Sequence, residues 1–386
     1  MSSHPKLMIP GPVDITSEVQ EAMAVPSRPH YGQEWLSLYG ETQEMAKQLF
    51  KTKNELYVMA GPGTMALEAA LGSALEPGAV VLVPSNGFFA DRLVNLLEGL
   101  ALQPLRVTAP LGEPVLPAAL DEALRAHPEV SALVVVHHET STGVLNPLEG
   151  IMAVAHNYEL LTVVDAVSSL GGVPLPVDEW GVDLCVSVAN KALETPPGVA
   201  LISISARAAE AIARRVAKRG WYLDLKTWQW YAREWGDWHP TPVTMPTSNI
   251  NALHYTLQVL LEEGVEQRYA QYRAAAQAVR AGLRALGCPL LTEDDYYASP
   301  LTTAFKMPEG VSSDGVRAYL SQQVGVLISV GIGELHGIIL RVGHIGQARR
   351  RDYVVAFLLG MEEALSAQGL DIQRGTSLVS LDGLLN

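Results

Sequence analysis

The first reactive stretch in the sequence is a glycine-rich turn at residues 60–65, in which Gly63 and Thr64 precede a helical segment. A helix that begins directly after a strand points unpaired backbone N–H groups outward, and its dipole favours an anion such as phosphate. The turn is not a Walker motif, because no lysine follows the second glycine, and Ala66 breaks the dinucleotide pattern. On this feature alone, a phosphate site and a purely steric need for glycine remain equally open.

The second and third reactive groups are a carboxylate and an amine that follow apolar, strand-like runs. Asp165 ends the run at residues 161–164, and Lys191 follows the run at residues 184–188. In an open parallel sheet the carboxyl ends of the strands line the ligand crevice. A carboxylate there is costly unless it is paired, although a helix N-cap would also explain it. A desolvated lysine has a lowered pKa and can form a Schiff base, unless its side chain extends to water.

Taken together, the three groups match the chemistry of one cofactor, pyridoxal 5′-phosphate. Its phosphate needs a helix N-terminus, its pyridine nitrogen needs an anion that keeps it protonated, and its aldehyde needs a lysine. The chain offers these in the order Gly63-Thr64, Asp165 and Lys191. The combination is therefore more specific than any of its parts.

The elements that must position these groups alternate between strands and helices. Six apolar runs predict strands covered on both faces, as in a mostly parallel α/β sheet: residues 56–59, 80–83, 132–136, 161–164, 184–188 and 199–204. Helical patterns cover residues 33–51 and 251–286, the latter with an interruption near Gly264. We predict an N-terminal arm (1–17), a large α/β domain (18–250), and a linking helix with a small C-terminal α+β domain (251–386).

Composition narrows the class of protein further. The 386 residues include 27 Lys and Arg against 41 Asp and Glu, a net charge of −14 that disfavours a broad nucleic-acid surface. Two cysteines exclude a disulfide scaffold and suit a reducing compartment. We find no signal-peptide pattern and no run of about twenty apolar residues. A cytoplasmic enzyme without a metal site or membrane span is expected.

The chain resembles the class V aminotransferases of the pyridoxal phosphate fold type I family. The resemblance extends from about residue 6 to about residue 370 and is nearest to the alanine–glyoxylate and serine–glyoxylate (serine–pyruvate) enzymes. It is carried by these segments: Pro10-Gly11-Pro12, Gly61-Pro62-Gly63-Thr64, Asn86-Gly87-Phe88-Phe89 with Arg92, Glu139-Thr140-Ser141-Thr142-Gly143, Asp165-Ala166-Val167-Ser168-Ser169-Leu170-Gly171-Gly172, and Leu340-Arg341-Val342-Gly343-His344-Ile345-Gly346.

The resemblance implies a role for each residue of the cofactor site. Lys191 would form the Schiff base and Asp165 would pair with the ring nitrogen. The other implied cofactor contacts are Gly63, Thr64 and nearby Asn190 at the phosphate, Phe89 stacked on the ring, and Thr140 at the ring hydroxyl or the Asp165 region. Many relatives have tryptophan in place of Phe89 and glutamine in place of Asn190.

The resemblance also implies which residues bind the substrate and which contact the partner subunit. Arg341 would bind the substrate carboxylate, for which a planar guanidinium is suited, and Gly11 would line the substrate site. Thr244 would reach the phosphate in the partner subunit of a homodimer. The two neighbouring histidines, His137 and His138, receive no role.

The implied reaction moves an amino group from alanine or serine to a 2-oxo acid such as glyoxylate or pyruvate. Enzymes of the 2-aminoethylphosphonate–pyruvate and pyridoxamine–pyruvate types are the alternatives, and a (S)-ureidoglycine–glyoxylate branch also exists. Cysteine desulfurases fit less well, because they have a histidine over the ring where this chain has Phe89. A nucleotide-binding oxidoreductase would leave Asp165 and Lys191 unexplained, and a non-catalytic relative would have no need to keep them.

Overall fold

A seven-stranded sheet forms the centre of the computed structural model, which describes residues 4–384. The strands of the described residues, in chain order, are β1 (Lys6–Leu7), β2 (Glu55–Ala60), β3 (Val80–Ser85), β4 (Gln103–Thr108), β5 (Val130–Val136), β6 (His138–Glu139), β7 (Val144–Leu145), β8 (Leu161–Asp165), β9 (Leu184–Val188), β10 (Val199–Ile204), β11 (Thr302–Phe305), β12 (Val326–Leu327), β13 (Ser329–Val330) and β14 (Leu340–Gly343).

The central sheet has the order β2-β10-β9-β8-β5-β3-β4. Only β10 runs antiparallel to its neighbours, so the predicted mostly parallel α/β sheet is confirmed. The six predicted runs all lie in strands, and β5, β8, β9 and β10 are buried almost throughout. No sequence pattern predicted β4, an edge strand in which partly buried and exposed residues are mixed and form no continuous apolar run.

Twelve α-helices occur within residues 4–384: α1 (Ser17–Met23), α2 (Gln33–Phe50), α3 (Gly63–Ala74), α4 (Phe88–Gly99), α5 (Pro117–Ala126), α6 (Leu148–Asn157), α7 (Ala206–Arg214), α8 (Leu225–Glu234), α9 (Thr247–Glu263), α10 (Val265–Ala285), α11 (Ser313–Tyr319) and α12 (Arg351–Ser366). The predicted interruption at Gly264 is confirmed: this residue has a φ of +92° and separates α9 from α10. Such a backbone angle suits glycine. In the described part of the chain, no helix is long and apolar enough to span a membrane.

A second hydrophobic cluster lies around the small sheet β11-β14-β13 and includes residues of α10 and α12. The N-terminal segment also contributes to it, because β1 pairs in parallel with β12 and the Met8 side chain is buried there. The N-terminal segment thus connects the start of the chain to its last third. The domain boundaries given above remain predictions.

The register of the central strands explains how the reactive groups come together. Val136 at the end of β5 pairs with Asp165, the last residue of β8, and Asp165 pairs with Val186 of β9. Because these three strands are parallel, their carboxyl ends meet at one edge of the sheet. The residues that follow β5 and β9 are therefore neighbours of Asp165.

Candidate active site

A cavity of about 430 Å³ lies at the carboxyl edge of the central sheet. Seven of the eight predicted cofactor residues line it, although they come from distant parts of the chain. The complete lining is Pro62, Gly63, Thr64, Leu67, Phe89, Arg92, Leu93, Val136, His138, Thr140, Asp165, Val167, Ser168, Val188, Asn190, Lys191, Pro197 and Gly198.

The glycine-rich turn forms the start of α3, which begins at Gly63. Pro62 is the N-cap residue, and its side chain makes no capping bond to the first turn. A Cβ on Gly63 would lie 2.6 Å from Val167 Cγ2 and 2.9 Å from Val188 Cγ1, which requires glycine at this position. The turn therefore presents uncapped N–H groups at the wall of the cavity, as an anion site does.

Asp165 is 8% exposed and lies at the base of the cavity. Its Oδ1 accepts a hydrogen bond from the Val167 backbone N–H at 2.9 Å. Burial, together with the nearby Glu139 carboxylate, raises the pKa of Asp165 to about 6, against the effects of that hydrogen bond and of the cations Arg92 and Lys191. A buried carboxylate of this kind is stabilised by a cationic ligand, such as a protonated ring nitrogen.

Lys191 follows β9 and extends its amine toward the N-terminal segment, where Nζ donates to the Pro10 carbonyl oxygen at 2.6 Å. Desolvation, together with the charge of Arg341, lowers the pKa of Lys191 to about 8. A lysine with a lowered pKa has more of the neutral amine that attacks an aldehyde. Gly11 is packed against this side chain, since a Cβ on Gly11 would lie 2.5 Å from Nζ.

One aromatic residue and one arginine form the α4 side of the cavity. Phe89 is half-buried and Arg92 lies 4.8 Å from its ring centroid. The start of α4 is held by the buried Glu139, which accepts hydrogen bonds from the backbone N–H groups of Phe89 and Ala90, both at 3.0 Å. Glu139 thus fixes the helix that presents Phe89. Arg92 was not predicted as a site residue, although it lies one helical turn after Phe89 in the sequence.

Arg341 lies in β14 and reaches toward the cavity without lining it. Its Nη1 donates to the Thr140 carbonyl oxygen at 3.1 Å, and its Nε donates to the Val330 carbonyl oxygen at 2.9 Å. The residue is 7% exposed, and burial lowers the pKa of its guanidinium to about 10. Both of these hydrogen-bond partners are neutral backbone carbonyl oxygens, and the charge of Glu139 partly opposes the effect of burial on the pKa of Arg341.

Thr244 does not line this cavity and is exposed. Its predicted contact with a partner subunit involves a second chain and remains a prediction. The structure also adds Val167 and His138 to the cavity wall. Val136, His138 and Thr140 all line the cavity, although β5 ends at Val136 and Thr140 lies in the turn after β6, so no regular strand pattern predicted His138.

The donor set fits pyridoxal 5′-phosphate. A helix start, a buried carboxylate and a desolvated lysine border one cavity. They match the phosphate, the ring nitrogen and the aldehyde of this cofactor, respectively. Phe89 and Val167 provide apolar surfaces for a flat ring. In the described portion of the chain, no group of three or more His, Cys, Asp or Glu side chains is arranged to hold a metal ion.

Comparison with known proteins agrees with this site. The family model "Aminotransferase class-V" matches residues 15–343, and the chain belongs to that family. It is 34% identical to alanine–glyoxylate aminotransferase of Callithrix jacchus, over 93% of this chain and 87% of that protein. It is 31% identical to pyridoxamine–pyruvate transaminase of Mesorhizobium japonicum, over 95% of this chain and 93% of that one.

The fold comparison leads to the same class. The solved structure of ureidoglycine–glyoxylate aminotransferase from Bacillus subtilis has a TM-score of 0.92 and 31% identity, and the match covers 99% of this chain and 98% of that one. The chain has the fold of type I pyridoxal phosphate enzymes and is a pyridoxal phosphate-dependent transaminase. The resemblance stated from the sequence is confirmed.

Proposed function

We propose that the enzyme transfers an amino group from a small amino acid, alanine or serine, to a 2-oxo acid such as glyoxylate or pyruvate. The observation that carries this proposal is Arg341, a buried guanidinium close enough to Lys191 to lower its pKa. Among residues 4–384, its hydrogen-bond partners are the carbonyl oxygens of Thr140 and Val330. A planar guanidinium binds a carboxylate through two parallel hydrogen bonds. Both the amino acid and the 2-oxo acid carry such a carboxylate next to the reacting carbon.

Pyridoxal 5′-phosphate, when bound, supplies the aldehyde and the protonated ring that accepts electrons from the substrate's α-carbon. Gly63 and Thr64, at the start of α3, would hold its phosphate, assisted by Asn190. Asp165 would pair with the ring nitrogen, and Phe89 would pack against the ring. Lys191 is the amine that would hold the aldehyde group. As a free amine, it would also hold and return a proton near the substrate's α-carbon as a general acid–base.

The surroundings of Lys191 support this double role. Its pKa of about 8 lies close to neutral pH, where the amine both accepts and returns a proton. The Pro10 carbonyl oxygen, at 2.6 Å from Nζ, gives the free amine a resting position. Gly11 leaves the space that the moving side chain needs, because any larger residue would overlap Nζ. Gly11 is therefore part of the proposed substrate site.

We further propose that the enzyme works as a homodimer in the cytoplasm, with Thr244 contacting the phosphate bound by the partner subunit. The exposure of Thr244 on this chain leaves it accessible to a second subunit. Four large exposed tryptophans, at positions 221, 230, 235 and 238, offer apolar surface for such an interface. Sedimentation of the loaded protein measures the assembly, and a monomer with full activity would contradict it.

The substrate test is the visible spectrum of the purified holoenzyme during addition of single amino donors. The donors are L-alanine, L-serine, glycine, 2-aminoethylphosphonate and pyridoxamine. We expect alanine or serine to convert the aldehyde-form absorbance to that of the amine form, and added glyoxylate or pyruvate to restore it. Released keto acid is quantified in parallel.

The same panel separates the alternatives. A response to the phosphonate alone, or to pyridoxamine alone, would overturn the substrate assignment and leave the transaminase class intact. The R341Q variant is the matched control, since it keeps the cavity lining and removes the guanidinium. If R341Q responded to alanine with the affinity of the wild type, Arg341 would not be the carboxylate site.

A further inference from the structure

Glu194 is a buried carboxylate that follows Lys191 closely in the sequence and takes no part in the proposed reaction. Its backbone N–H donates to the Lys191 carbonyl oxygen at 3.0 Å, so both residues belong to one turn. Its φ of +55° lies in the left-handed region, which residues other than glycine rarely adopt. The other non-glycine residues with positive φ in the described chain are exposed, at positions 51, 101 and 159. A buried residue keeps such a conformation only where its surroundings impose it.

The Glu194 carboxylate is bound by two segments that lie far from it in the sequence. Its Oε1 accepts hydrogen bonds from Arg349 Nη1 at 2.7 Å and from Nη1 of Arg268 in α10, and its Oε2 accepts from Gln347 Nε2 at 2.6 Å. Both arginines are buried. Glu194 therefore joins the turn that carries Lys191 to α10 and to the segment directly after β14.

The charges around Glu194 are balanced. Arg268 also pairs with Glu263, and Arg349 Nε also donates to Gln271 Oε1 at 2.8 Å. Two carboxylates and two guanidiniums thus share this buried network. Buried ion pairs often add little stability compared with apolar residues of similar size, whereas their directional bonds can fix which groups lie together.

The segment that Glu194 binds follows the strand that carries Arg341. Ala192, next to Lys191 in the sequence, lies in one buried apolar cluster with Ile345, so the backbones beside the ion pair are packed together as well. Arg341 is close enough to Lys191 to lower its pKa. The ion pair and the apolar cluster therefore hold the two groups at a defined separation.

We propose that Glu194 is a positioning residue that sets the separation between the Lys191 amine and the Arg341 guanidinium. A small amino acid must reach both groups at once, with its α-carbon at Lys191 and its carboxylate at Arg341. The separation then favours substrates whose carboxylate is bonded directly to the carbon that carries the amine. This inference rests on the proposed function and adds a residue that determines its specificity.

The test removes the contact without changing the net charge. E194Q/R349Q replaces both members of the ion pair. D224N/R215Q is the matched control, because Arg215 Nη2 and Asp224 Oδ2 form another buried pair, at 2.7 Å, and neither residue lines the cavity. R349K, which keeps the charge and loses the planar guanidinium, gives the same comparison if E194Q/R349Q does not fold.

Two quantities are measured on the full-length variants. In the holoenzyme, the visible spectrum gives the rate constants for conversion by L-alanine and by ethylamine, which is alanine without its carboxylate. The ratio of the two rate constants measures how well the carboxylate is used. In the apo-protein, the pH dependence of Lys191 acetylation by acetic anhydride, followed by mass spectrometry, measures the pKa of its amine without cofactor or substrate.

We expect E194Q/R349Q to lower the alanine-to-ethylamine ratio by about 10- to 100-fold, the effect of a small displacement between two groups that act on one substrate. The pKa of Lys191 should rise in the same variant, because the amine loses the nearby charge of Arg341. D224N/R215Q should keep both wild-type values even if its stability in urea falls.

An unchanged ratio or an unchanged pKa in the folded variant would overturn the inference, as would equal changes in D224N/R215Q. A wild type that converts ethylamine as readily as alanine would instead overturn the role of Arg341 in the proposed function.

Discussion

Replacing Asp165 with asparagine removes a buried carboxylate while keeping an oxygen that can accept from the Val167 backbone N–H. In the protein without cofactor, the charge at Asp165 is unfavourable, because burial outweighs its hydrogen bond and nearby cations. We therefore expect D165N to be more stable than the wild type when both lack the cofactor. Asp165 would then serve cofactor binding while lowering the stability of the protein without cofactor.

The size of the effect follows from the pKa of Asp165, which rises from its ordinary 3.8 to about 6. At about 1.4 kcal/mol per pKa unit, the ionised carboxylate destabilises the empty protein by about 3 kcal/mol at neutral pH. Between these two pKa values the folded protein binds more protons at this carboxyl than the unfolded chain. Its stability consequently falls as the pH rises through this window and levels off above about pH 6.

The assay is urea unfolding of both apo-proteins at about pH 5 and about pH 7.5. The stability advantage of D165N over the wild type should grow by about 1.5 kcal/mol between these two pH values. The other titrating groups are common to both proteins, so their effects cancel in this comparison. With pyridoxal 5′-phosphate present the order should reverse, because the wild type gains a pairing with the ring nitrogen. An advantage independent of pH, or a less stable D165N at about pH 7.5 without cofactor, would refute the reasoning.

Three further substitutions test other parts of the site. R341Q should raise KM for alanine by about 10- to 100-fold, the range of a charge-assisted hydrogen bond, and an unchanged KM would exclude Arg341 from carboxylate binding. G11A should lower both cofactor content and kcat, because its Cβ would lie 2.5 Å from Lys191 Nζ at a backbone φ of +112°. Normal cofactor absorbance and turnover in G11A would contradict that packing. K191A should keep its far-ultraviolet circular dichroism and lose all turnover, whereas normal transamination by the purified variant would contradict the assignment.

The strands that could be predicted from the sequence are those buried on both faces, because burial on both faces gives a continuous run of apolar residues. Strands such as β8 and β9 are covered on both faces and read as apolar runs in the sequence. The edge strand β4 was missed because its side chains alternate between partly buried and exposed. The pairing of β1 with β12 involves two residues from opposite ends of the chain, and no local pattern records such a contact.

In the candidate site, too, some features were predictable from the sequence and others only from the structure. Asp165 and Lys191 each follow a buried strand, so their convergence at one sheet edge was predictable once the sheet was predicted as parallel. The hydrogen bonds of Arg341 to the carbonyl oxygens of Thr140 and Val330 depend on tertiary packing and were visible only in the structure. The position of His138 in the cavity wall is accompanied by a contact with the Ser168 carbonyl oxygen, thirty residues away in sequence. The predicted contact of Thr244 would be made to a second subunit, so a single chain cannot test it.

The central claim is that Lys191 carries the cofactor, and its most direct test is chemical. The purified holoenzyme is reduced with borohydride, which makes the bond between amine and cofactor permanent, and its peptides are examined by mass spectrometry. We predict one modified peptide, with the cofactor's mass on Lys191 and on no other lysine, and none in K191A. Modification of a different lysine, or a cofactor-loaded protein that yields no modified peptide, would contradict the account.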